Sequence, residues 1–108
     1  MSDLNDLKRR ALQIREQYAE LSRSEGQATW SGKEYAMGFV GDVGDLIKLV
    51  MAKENLRYTD DVDAKLAHEL SDCLWSLLVI ADAYDVDLEA EFLKSMDKLQ
   101  MRIKEEKR

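Results

Sequence analysis

Four carboxylates stand where this sequence is otherwise most apolar. Asp42 and Asp45 lie between Ala36 and Ala52 (AMGFVGDVGDLIKLVMA), where the only other charge is Lys48. Glu69 and Asp72 are the only acids between Leu66 and Ala81 (LAHELSDCLWSLLVIA). The members of each pair are three residues apart, a spacing that stacks two side chains on one helix face, one turn apart. Like charges so placed destabilise a helix slightly, and burying them unpaired costs several kcal/mol per ion. The arrangement calls for a positive charge between the pairs, most simply a metal ion. Oxygen-only donors select hard cations, Mg²⁺ or Mn²⁺, over zinc or copper. Di-iron bundles use a Glu-x-x-His motif on each of two helices. The single histidine, His68, instead directly precedes Glu69 and suits a polar surface or inter-helix hydrogen bond. Mg²⁺ keeps several waters and binds carboxylates together with substrate phosphates. The set therefore points to hydrolysis of a phosphate ester or phosphoanhydride, with the ion polarising a phosphoryl oxygen and one acid left as general base.

The elements that must position these acids are helices. Leu4, Leu7, Ala11, Ile14, Tyr18 and Leu21 alternate steps of three and four residues, the narrow seam of a packed helix. The pattern breaks over Ser22–Thr29. Ser31 then reads as an N-cap, with Glu34 completing a capping box and Trp30 and Tyr35 a hydrophobic staple. Asn55–Asp60 is a polar connection, and Asp60 or Asp61 can cap the third helix. Asp87 caps the fourth, whose stripe is Leu88, Phe92, Met96, Leu99 and Ile103. The spacing predicts helices at about 3–23, 32–54, 61–84 and 88–106, an all-α four-helix bundle forming one domain over residues 1–108. Helix 2 is apolar over most of its circumference, which predicts a buried central helix. Gly38, Gly41 and Gly44 recur every third residue inside it, each costing about 1 kcal/mol against alanine. Close helix–helix approach is the expected reason at Gly41 and Gly44. Gly38, one turn before Asp42, is placed to leave room for a ligand.

Composition narrows the partners. A net charge of −6 argues against a nucleic-acid backbone or an anionic membrane, while a small phosphorylated ligand at a local site stays compatible. Cys73 is the only cysteine, so a reducing compartment is expected, with Cys73 as a small buried hydrophobe. The opening MSDLNDLKRR has no apolar core of a signal peptide, and no charge-free apolar run reaches membrane-spanning length. A soluble cytoplasmic domain is the expectation.

FVGDVGDL followed by HELSDCLW resembles the E-x-x-E … E-x-x-D signature of the all-α, MazG-type nucleoside triphosphate pyrophosphohydrolases, in the VGEVGEL form of the dCTP-pyrophosphatase branch. The resemblance covers about Trp30 to Ile103. It implies that Asp42, Asp45, Glu69 and Asp72 are the metal ligands and catalytic acids, with Mg²⁺ (or Mn²⁺) as cofactor. It implies cleavage of a (d)NTP between the α and β phosphates to (d)NMP and pyrophosphate, in a house-cleaning or pool-balancing role. It also implies a homodimer or homotetramer with the nucleotide site near a subunit contact. The fourth-helix pattern K-x-N-x-K-x-x-x-R of such proteins is met at Lys94, Lys98 and Arg102, with Met96 in place of the asparagine. Lys53 matches a basic residue that some relatives carry at the end of the first motif helix. Lys53, Lys94 and Lys98 are thus candidate phosphate contacts. Trp30 is a candidate base-stacking ring, whereas Trp75, on the side of helix 3 away from Glu69, suits core or subunit interface. The two aspartates replace the family's usual glutamates in the first motif. With Met96, that departure leaves two alternatives: a catalytically weak or silent helical interaction module, and a pyrophosphatase acting on phosphoribosyl-ATP.

Overall fold

The computed structural model describes residues 3–107. The chain is an all-α four-helix bundle: α1 (Leu4–Ser24), α2 (Gly32–Lys53), α3 (Val62–Ala83) and α4 (Leu88–Glu106). Each helix end lies within a residue or so of its predicted position, because local chemistry sets it. Asp3 closes a capping box with Asp6 at the start of α1, and the Asp87 carboxylate accepts from the Ala90 amide at the start of α4. Three helices end in a left-handed residue, Gly26, Asn55 and Asp85. After each, the next amide reaches back to an orphan carbonyl: Gln27 to Ser22, Leu56 to Met51, Val86 to Ala81. These are Schellman turns.

Two predicted caps take another form. Ser31 adopts the extended N-cap backbone, but its hydroxyl makes no bond to an α2 amide. It donates instead to Glu34 Oε2 at 2.6 Å, so no capping box forms. That charge-assisted bond orients the hydroxyl toward the carboxylate. The staple does form, with Trp30 and Tyr35 edge-to-face at 5.4 Å between ring centroids. At α3, Asp61 is the N-cap residue in a left-handed conformation, with no capping bond. Asp60 is bonded to Lys65 at 2.8 Å.

The α2–α3 pair is the centre of the molecule, with α1 laid against α3. Asp42 meets Ser76 and Lys53 meets Asp63, so the pair runs antiparallel. The buried residues come mainly from α3: Cys73, Ser76, Leu78, Val79 and Ala81, with Val79 fully enclosed. Arg15 ties α1 to α3 through Asp82 at 2.7 Å, and the Trp75 indole donates to the Ala11 carbonyl at 3.1 Å. α4 buries no residue.

Helix 2 is not the enclosed helix its composition predicts. It buries only Tyr35 and Ala52, and Met37 and Val40 are 72% and 71% exposed. Within one chain only α3 covers it, because α1 leans on α3 and α4 adds no cover. Nor do Gly41 and Gly44 mark a close approach within the chain: a Cβ at either would meet nothing within 4 Å. The space beside Gly38 is filled by the Trp30 ring, 3.2 Å from where a Cβ would stand. No helix among the described residues is long and apolar enough to cross a membrane.

Candidate active site

Antiparallel packing turns the two acid pairs toward each other. Asp42 and Asp45 come from the middle of α2, Glu69 and Asp72 from the first half of α3. Asp42 Oδ2 accepts a 3.0 Å bond from the buried Ser76 hydroxyl, which fixes its carboxylate toward α3. His68 Nε2 lies 3.2 Å from Asp72 Oδ2, one turn along the same helix, so the histidine bonds within α3 rather than between helices. Glu69 Oε1 is shut off from solvent and has no hydrogen-bond partner. Burial, and then the charges of Asp72, Asp42 and Asp45, push the Glu69 carboxyl above its ordinary range. All four acids therefore share one electrostatic neighbourhood. Cys73, buried beneath them, has its thiol raised by burial and by Asp42, Glu69 and Asp72. That keeps it a protonated packing group, as its place in the sequence predicts.

Two cavities flank the acids. One of about 730 Å³ meets Asp42 and Asp72 and is walled by Tyr18, Trp30, Tyr35 and Trp75. Its rings form an edge-to-face chain, Trp30 to Tyr35 at 5.4 Å, Tyr35 to Trp75 at 5.7 Å and Trp75 to Tyr18 at 6.2 Å. The other, about 450 Å³, meets Asp45 and Glu69 and is bordered by Lys48, Arg57, Lys65 and His68.

The donor set suits a hard cation. Four carboxylates, one with an orphaned buried oxygen, gather negative charge, and among the described residues only His68, at Asp72, lies within ion-pair distance of any of them. Among the described residues, no three His, Cys, Asp or Glu side chains converge into a ligand cluster.

The other predicted residues divide. Trp30 stands at the aromatic cavity, the residue 56% exposed, where a planar ligand can stack on its ring. Trp75 is half-buried, anchors α1 and lines the same cavity. Lys53 is paired with Asp63 at 2.6 Å across the α2–α3 turn. Lys94 and Lys98 are exposed on α4 and line neither cavity. Ser76, the partner of Asp42, carried one legible signal, its helical register one turn after Asp72. Nothing in the one-dimensional spacing joined Lys48 to Arg57.

Residues 32–106, most of the chain, match the MazG nucleotide pyrophosphohydrolase domain. No curated protein gives a significant match.

Proposed function

Because this chain belongs to the MazG nucleotide pyrophosphohydrolase family, we propose that it hydrolyses nucleoside triphosphates between the α and β phosphates with the help of Mg²⁺. The observation that carries the proposal is Glu69: a buried carboxylate oxygen without a partner, its ionisation opposed by three neighbouring acids. Such a group is stable in a fold that also binds a cation or moves a proton.

Asp42, Asp45, Glu69 and Asp72 would hold the ion. When bound, Mg²⁺ supplies charge that polarises the phosphoryl oxygens and makes a water more acidic. Ser76 orients Asp42, so one ligand is set before substrate arrives. One of the four acids, left free of the ion, would accept the water's proton. The aromatic cavity takes the nucleobase, with Trp30 offering the stacking face. That cavity lies beside Asp42 and Asp72. The first motif, FVGDVGDL, favours a deoxynucleotide substrate of the dCTP-pyrophosphatase type, in a house-cleaning or pool-balancing role. The apolar residues left open on α2, Met37, Val40 and Ile47 among them, favour a homodimer or homotetramer in which a second copy covers them.

A panel of ribo- and deoxynucleoside triphosphates, assayed for pyrophosphate release with Mg²⁺ and with Mn²⁺, tests the reaction. Release of pyrophosphate from at least one deoxynucleotide is expected, and none from any member rejects it. A second reading, a catalytically silent module of the same fold, draws on the lack of a converged ligand cluster. Thermal melts separate the two: a working carboxylate site gains stability from Mg²⁺, and a silent one shows no shift.

A further inference from the structure

The two cavities meet the acids at different residues, and their walls differ in kind. The aromatic one touches Asp42 and Asp72, the other Asp45 and Glu69. Four side chains able to carry positive charge border the second, in a protein of net charge −6. Two are engaged: Lys65 with Asp60 at 2.8 Å, and His68 with Asp72 at 3.2 Å. Lys48 and Arg57 have no ion-pair partner among the described residues. Both are exposed. Lys48 follows Asp45 by three residues and so shares its face of α2. Arg57 arrives from the loop, after the left-handed Asn55 ends α2 and turns the chain toward α3. The fold thus brings two unpaired cations, from different elements, to the edge of a carboxylate site. A guanidinium fork and an ammonium together suit an oxyanion with several equivalent oxygens.

Building on the pyrophosphohydrolase reading, we propose that the Lys48–Arg57 cavity is the pocket for the β and γ phosphates. The substrate then lies along the α2–α3 groove with its base at Trp30, its α phosphate among the four acids and its pyrophosphate end at Arg57. A water oxygen bonds to the α phosphorus as the bond from that phosphorus to the oxygen bridging to the β phosphate breaks. The electron pair leaves on that bridging oxygen as pyrophosphate, whose charge Lys48 and Arg57 meet, and the water's proton passes to a carboxylate of the site. Lys53, held by Asp63, takes no part.

The test is calorimetric titration of inorganic pyrophosphate, in the presence of Mg²⁺, into the full chain and into Arg57→Ala, Lys48→Ala/Arg57→Ala and Trp30→Ala. Both cations are exposed and outside the core, so circular dichroism should show the variants folded. The double variant is expected to lose at least tenfold in pyrophosphate affinity, with Arg57→Lys recovering part of the Arg57→Ala loss, while Trp30→Ala binds pyrophosphate as the wild type does. A nucleoside monophosphate should show the converse pattern. Unchanged pyrophosphate binding by the double variant overturns the assignment, as does a wild type that binds no pyrophosphate, whatever its activity. Binding that depends on Lys48 and Arg57 in a protein that hydrolyses no nucleotide rejects the hydrolase reading and leaves the subsite standing.

Discussion

Three glycines inside α2 give a quantitative probe of what surrounds that helix. Glycine in a helix interior costs about 1 kcal/mol relative to alanine, from backbone entropy alone. A Cβ at Gly41 or Gly44 would meet nothing within 4 Å, so no packing cost offsets that gain. In dilute protein, where no second copy covers α2, Gly41→Ala and Gly44→Ala should each stabilise the chain by about 1 kcal/mol, raising the melting temperature by about 4–8 °C for a domain of this size. Gly38→Ala differs. Its Cβ would stand 3.2 Å from Trp30, so the ring must give by a few tenths of an ångström. An exposed ring can do so, but the gain should be smaller than at the other two sites. Moving that ring should also change KM for nucleotides more than kcat. The assay is thermal unfolding followed by far-ultraviolet circular dichroism, in dilute protein and again at high concentration. A lower melting temperature for Gly41→Ala or Gly44→Ala would refute the open face. If the loss grew with protein concentration, a second copy would be identified as the body packed there.

Two further outcomes concern charge. The Glu69 carboxyl is raised in the fold, so the stability it supplies is full below its unfolded value and lost as pH rises from that value through the folded one. In a chelator, the melting-temperature advantage of Glu69→Gln over wild type should therefore widen as pH rises through that window; a constant difference rejects the cause. Asp82 has the opposite sign: the Arg15 hydrogen bond, followed by the charges of Arg15 and Lys8, holds its carboxyl below the ordinary range. The resulting stability is present above the unfolded value and lost as pH falls through the folded one. Arg15→Ala should cost roughly 1–2 kcal/mol at neutral pH in urea unfolding, and that cost should shrink in acid; a cost independent of pH would assign it to packing alone.

Much of the fold was legible because helix ends and faces are local matters. The period of α1, the Asp87 cap and the Trp30–Tyr35 staple each depend on residues within a turn or two. The failures came where the outcome turned on competition or on distance. Ser31 and Glu34 have the types of a capping box, yet the hydroxyl turns to the Glu34 carboxylate and makes no bond to an α2 amide. The apolar circumference of α2 says that the helix favours cover without saying which chain supplies it. In the candidate site, the acids were legible because each pair is a helical repeat. Lys53, a candidate phosphate contact in the sequence, is paired with Asp63 across the α2–α3 turn, a neighbour that the sequence spacing does not show. Lys48 and Arg57, nine residues apart, come to one cavity through the left-handed turn at Asn55, which asparagine announces less plainly than glycine does.

The central claim is that Asp42, Glu69 and Asp72 serve one metal-assisted cleavage at the α phosphate. Phosphorus NMR of a deoxynucleoside triphosphate incubated with the protein and Mg²⁺ in ¹⁸O-water tests it most directly, alongside Asp42→Asn, Glu69→Gln and Asp72→Asn. The wild type should yield monophosphate and pyrophosphate, with the heavy oxygen on the phosphate that carries the nucleoside, and each variant should yield neither above background. Diphosphate and orthophosphate as products, or wild-type rates in all three variants, would contradict the account.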